Sequence, residues 1–184
     1  MSPGNLYYHF RNKEEIIRAL FEQALAFVEA KQRSVDPSTL SLAEAIEHSL
    51  EVLGALNTRY RCLKRDLPII LMNDPGMRKR FHQVHLEQFG LVRQGIEYGM
   101  ATGVYRQFSP DETERISTII WMVALFWPTF LGVTGEDYTQ KNLDKGLDLN
   151  RMLIDLILSD QGRLMLEEET SRKRNRFNID MEDV

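Results

Sequence analysis

The stretch Ser2-Pro3-Gly4-Asn5-Leu6-Tyr7-Tyr8-His9-Phe10-Arg11-Asn12-Lys13 decides how this 184-residue chain is read. Ser2 is a natural helix N-cap and Pro3 a natural first helical residue, because the N–H that proline lacks has no intrahelical partner there. Met1 and Leu6 take the two positions of a hydrophobic staple. A helix this short persists only by packing, and Leu6 with Phe10, four residues apart, supplies one narrow apolar edge. At about 100° per residue Tyr8 lies almost opposite that edge, near Gly4 and Asn5, with Tyr7 and His9 on the flanks. The outer side therefore offers two phenolic hydroxyls, an imidazole and an amide, and Arg11 and Lys13 follow at the turn. Such a surface suits a DNA major groove: ring and amide meet base edges, while hydroxyls and cations hold phosphates. Gly4 lets the backbone come close.

Beyond this stretch, helix signals recur and alternating β-branched strands do not. Asn12-Lys13-Glu14-Glu15 has the form of a capping box, followed by Ile17, Leu20, Phe21, Ala24 and Val28 at helical spacing. Asp36-Pro37-Ser38 is expected to end that helix. Ser41 to Glu44 forms a second capping box, with Ile46, Leu50, Leu53 and Tyr60 behind it. Asp74-Pro75 opens a helix expected to run to Ala101, with Gly103 as its stop. Ser109-Pro110-Asp111-Glu112 opens another, and a last one is predicted over Leu143–Ser159. Pro68 and Pro128 each predict a kink, Pro128 because it removes a backbone bond and clashes with the carbonyl of Ala124. The fold class is all-α, with about six helices after the first ten residues.

Composition narrows the function classes. Hydrophobic residues make up 43% and charged residues 27%, ordinary for a globular protein. A net charge of −4 argues against a basic coat over the whole surface but leaves room for a local DNA-reading face. The lone cysteine, Cys62, allows no internal disulfide and fits a reducing cytoplasm. The apolar run Ile119–Leu131 is broken by Pro128 and reads as too short to span a bilayer, so no membrane partner is expected.

The run Pro3-Gly4-Asn5-Leu6-Tyr7-Tyr8-His9-Phe10, then Lys13 and an amphipathic helix, closely resembles the recognition helix and following helix of tetracycline-repressor (TetR) family regulators. That family carries a Gly-Thr-Leu-Tyr-x-His-Phe run, two residues and a lysine; Asn5 stands here where threonine is commoner. The resemblance implies a TetR-like helical bundle with a partial N-terminal helix-turn-helix and an effector-binding, dimerising domain. It also implies that Tyr7, His9 and Lys13 hold phosphates, that Asn5 and Tyr8 face bases, and that Pro3 and Gly4 shape the approach. Two helices would precede Ser2 in such a domain, so the chain reads as truncated at its front, by a late start codon or by design. The domain reading is 1–35 as the remnant of the DNA-binding domain, 36–166 as ligand-binding and dimerisation domain, and 167–184 as a charged, disordered tail. The expected partners are operator DNA once the missing helices are present, a second copy of the chain, and an apolar or amphipathic small-molecule effector.

Other patterns are weaker. His82 and His85 share a helical face but lack further ligands, which favours a solvated face over a metal site. No nucleophile motif or phosphate-binding glycine loop is present, so neither an enzyme nor a cofactor is expected. Tyr60, Met72, Phe89, Trp121, Phe126 and Trp127 are the candidate pocket residues, although aromatic residues at helical spacing serve equally as core or dimer interface. Arg172-Lys173-Arg174-Asn175-Arg176 is flanked by acidic residues and reads as a solvated tail. The competing reading is a ligand-binding and dimerisation module without DNA-binding activity.

Overall fold

Local capping chemistry sets most of the helix starts. The structure, a computed structural model, describes residues 10–36 and 39–168. Helix α1 (Lys13–Arg33) begins where the Asn12 side chain accepts from Glu15 N–H at 2.9 Å. The returning Glu15 carboxylate accepts from Arg11 N–H at 2.8 Å, one residue before the position a regular capping box uses. The helix ends at Ser34, ahead of the expected Asp36-Pro37-Ser38 stop. Helix α2 (Leu42–Arg59) carries the complete Ser41–Glu44 box. Two short helices follow, α3 (Arg61–Arg65) and α4 (Leu67–Asn73). Pro68 does not kink a continuous helix as its position suggested. It lies in the first turn of α4, after a break at Asp66, where a missing N–H leaves no bond unmade.

Asp74 caps α5 (Pro75–Ala101) by accepting from Met77 N–H at 3.0 Å. Gly103, at φ +77°, turns the chain out of that helix. Helix α6 (Pro110–Thr134) starts at the complete Ser109–Glu112 box and ends at Gly135, at φ +74°. Helix α7 (Gln140–Ile157) stops two residues short of the expected Ser159, and a further helix, α8, covers residues 160–168. The first two residues of the segment read as a tail, Glu167 and Glu168, are thus helical; the remainder lies outside the described residues.

Helix α6 lies centrally, against α3, α5 and α7, while α7 also packs on α2. Phe21 and Ala24 of α1 join Tyr60, Leu63, Met77 and Val84 in one core cluster. Ile96, Val104, Tyr105, Ile157 and Leu158 form a second at the far end. There the linker after α5 is held to the end of α7: Arg106 N–H donates to Ile157 O at 3.0 Å, and Ser159 N–H to Val104 O at 2.9 Å. Among the described residues no strand longer than the isolated Tyr105–Leu158 bridge occurs, in keeping with the all-α expectation.

One face of α6 is left largely uncovered by the described residues. Ile119, Met122, Phe126, Phe130 and Val133, at spacings of three and four, are 41–82% exposed. Met152 and Leu156 of α7 are exposed as well. With 25 residues, α6 is long and apolar enough by length and composition to cross a bilayer, so the expectation of a too-short run needs correcting. The proline does not end this helix: α6 runs on through a buried Pro128.

Helix α5 offers a test of the packing. A Cβ on Gly99 would come within 2.1 Å of the Tyr105 ring, whereas one on Gly95 would meet nothing within 4 Å. Gly99→Ala is expected to destabilise the protein by about 1–3 kcal/mol through overpacking. Gly95→Ala should stabilise it by up to about 1 kcal/mol through helix propensity alone. Urea denaturation followed by circular dichroism measures both.

Candidate functional site

A cavity of about 400 Å³ opens between the helices, walled by residues of α1, α2, α3, α5, α6 and α7. Its surface is mainly apolar, and its volume suits a small molecule. Phe21, Ala24, Leu25 and Val28 of α1 contribute directly, so the helix that begins at Lys13 also walls the cavity.

Few of the polar groups in the wall are buried. Lys64, only 6% exposed, donates from Nζ to Asn57 Oδ1 at 2.6 Å and to the Ala124 carbonyl at 2.7 Å. That carbonyl is the one an ordinary helix would pair with the N–H of residue 128, which is proline. The lysine therefore takes the place of the bond that Pro128 cannot make. Thr129 returns the contact, its hydroxyl donating to Lys64 O at 3.0 Å. Burial alone lowers the Lys64 ammonium to a pKa of about 7, with no charged side chain acting on it. Trp121 Nε1 and Asn150 Oδ1, also in the wall, are buried without hydrogen-bond partners among the described residues. Tyr60 donates its hydroxyl to Gln23 O at 3.2 Å, tying α1 to the wall.

Two ion pairs add to that tie. Arg18 donates to Asp74 Oδ2 at 2.7 Å, and Arg80 to Glu22 at 3.1 Å. The Arg18 guanidinium, seconded by Met77 N–H, holds the Asp74 carboxyl below the usual carboxylate range.

Of the pocket residues expected from sequence, the structure brings Tyr60 and Trp121 into the cavity wall. The other four lie elsewhere. Met72 is 77% exposed on α4. Phe126 is on the outward face of α6. Trp127 fills the α6–α7 contact, its ring against Gly146 and its Nε1–H donating to Asn142 O at 2.8 Å. Phe89 packs on the His85 ring at 5.6 Å. His82 is exposed, but His85 is half-buried against Trp121, with Nδ1 unpartnered, rather than on a solvated face. Among the described residues no group of three or more potential metal ligands occurs. Pro3, Gly4, Asn5, Tyr7, Tyr8 and His9 lie outside the described residues; Lys13 is exposed at the first position of α1. Sequence reasoning missed Lys64, Asn57 and Asn150. The one available signal was Pro128, which announces a freed carbonyl without saying which donor meets it.

An all-helical bundle around an apolar cavity, with an unpartnered apolar face beside it, is the class defined by these features. The sequence pattern of the TetR family, described as bacterial transcriptional repressor, matches residues 15–166, and the chain belongs to that family. The fold is also that of a TetR-family transcriptional regulator from Marinobacter aquaeolei VT8, with a TM-score of 0.75 and 24% identity over 94% of this chain and 82% of that one. Comparison with curated protein sequences gave no match.

The buried lysine predicts a pH effect of definite sign. Between pH 7 and about 10 the unfolded chain keeps this lysine protonated while the folded protein leaves it neutral. Unfolding then takes up a proton, so stability should rise with pH across that window, by at most about 1.4 kcal/mol per unit. In Lys64→Met this contribution to the slope should vanish. Denaturation of both proteins at pH 7, 8 and 9 is the measurement.

Proposed function

We propose that the protein is a ligand-responsive repressor that binds operator DNA as a homodimer in the cytoplasm and has no enzymatic activity. The observation that carries the coupling of ligand to DNA is that α1 serves both ends. It starts at Lys13, directly after the stretch whose residues resemble a recognition helix, and it walls the cavity through Phe21 to Val28. A ligand that displaces this wall favours a state in which the two recognition helices of a dimer no longer meet successive major grooves. Pro3, Gly4, Asn5, Tyr7, Tyr8 and His9 are the proposed DNA-facing residues, and Lys13 a phosphate contact.

The homodimer reading is supported by the outward stripe of α6 beside Met152 and Leu156 of α7. Two copies related by a two-fold axis would close these helices into a four-helix bundle and withdraw both stripes from water. A bilayer is the less suitable cover. The opposite face of α6 holds buried Thr113 and Ser117 and the Lys64 contact, and it is already packed on three helices.

A second reading, a ligand-binding and dimerising module without DNA activity, draws on the family match. That match begins at residue 15 and leaves out the recognition-like stretch. Retardation of an operator fragment separates the two.

The chain should have a dimer mass by light scattering at micromolar concentration. Leu156→Glu should shift it to monomer while keeping the fold, because Leu156 is exposed within one chain and only the interface would bury the charge. A monomeric wild type would refute the dimer. In operator-binding assays Lys13→Ala should weaken binding to all DNA sequences alike and reduce the salt dependence, whereas Tyr8→Ala should relax sequence preference.

A further inference from the structure

The polar end of the cavity is built around a cation with no anion. Lys64 Nζ has two neutral acceptors, Asn57 Oδ1 and Ala124 O, which leaves its third N–H unassigned in the ammonium form. A buried ammonium with only neutral partners is costly, and a carboxylate beside it offsets that cost. Trp121 Nε1 is a second donor without an acceptor, and an indole N–H can only donate. It lies three residues before Ala124, nearly one turn along α6, and so on the face where Lys64 docks. Asn150 is at the same level. Gly146 of α7 lies against Trp127, so a residue four further along the antiparallel α7 faces α6 about 6 Å from Trp127, between Ala124 and Trp121. Asn150 is 98% buried with its amide oxygen unpartnered, and a half-turn of the amide presents its N–H₂ group. Apart from Tyr60, the other polar side chains of the wall are exposed or half-buried, and the remainder of the wall is aliphatic and aromatic.

We infer that the cavity takes an amphipathic monocarboxylate, its head group between Lys64 Nζ and Trp121 Nε1 and its hydrocarbon chain along the apolar wall. This rests on the reading of the cavity as the effector site. The head group supplies the acceptor that Trp121 lacks and the counter-ion that Lys64 lacks. Binding then holds Lys64 protonated, so above pH 7 each ligand brings a proton with it. The other titratable groups of the wall have different surroundings. From α1, Glu29 is exposed and paired with Arg33. From α2, His48 meets Lys31 O. From α5, Arg80 pairs with Glu22, Glu87 is exposed, and His85 stands behind Trp121. Tyr60 is bonded to Gln23 O, and α6 and α7 bring no titratable side chain to the wall.

Decanoate, decanol and decylamine are the probes, titrated into the full chain with tryptophan fluorescence and calorimetry as readouts. At pH 6.5 decanoate should bind at least about tenfold more tightly than decanol or decylamine. Its affinity should fall by about tenfold per pH unit above pH 7, while that of decanol stays constant. Lys64→Met should lose both the preference and the pH dependence and keep decanol binding. Should that variant fail to fold, the wild-type pH profile of decanoate against decanol decides. Decanol binding as tightly as decanoate, or a decanoate preference that survives at pH 9 or in Lys64→Met, overturns the carboxylate assignment and leaves the cavity reading standing. Binding of none of the three probes overturns both.

Discussion

A proline in the middle of a packed helix leaves one carbonyl without a donor, and in this protein the rest of the bundle is arranged around how that is resolved. An unpaired buried carbonyl costs about 1–3 kcal/mol. Lys64 supplies the donor from a five-residue helix that has no capping side chain of its own. Around the same proline, Thr129 bonds back to Lys64 O and the Tyr138 hydroxyl donates to Pro128 O at 2.7 Å. These contacts fix α3 on α6, and the breaks at Tyr60 and Asp66 on either side of α3 then orient α2 and α4. The resolution has its own cost, a desolvated amine, and that cost gives the cavity its chemical character.

The parts of the fold that were legible in the sequence are those decided within a few residues. Ser41, Asp74 and Ser109 each mark a helix start because a cap is a contact between neighbours in the chain. The freed carbonyl at Ala124 was legible for the same reason. Where long-range packing decides, the pattern was silent. Helix α6 is apolar nearly all round, so periodicity could not distinguish the cavity wall, the α7 contact and the outer face. Trp121, Trp127 and Phe126 went to those three different places. Lys64 sits in Arg61-Cys62-Leu63-Lys64-Arg65, among cations that face solvent, and nothing local sets it apart. Its burial follows from a proline more than sixty residues away.

Asp74 joins α1 to α5 without making the start of α5 depend on the contact. Its oxygens are divided: Oδ1 caps α5 through Met77 N–H, and Oδ2 holds Arg18 of α1. Because the tasks fall to different atoms, the cap does not depend on the ion pair. Loss of the contact to α1 would therefore leave the cap of α5 in place. At Asp74 itself, departure of α1 would give up one half-exposed charge contact and no part of the helix beneath it. Arg18 is already more than half exposed, so its guanidinium has water at hand as a replacement partner. The ion pair therefore adds little to the hold on α1, which rests on the burial of Phe21 and Ala24 in the core.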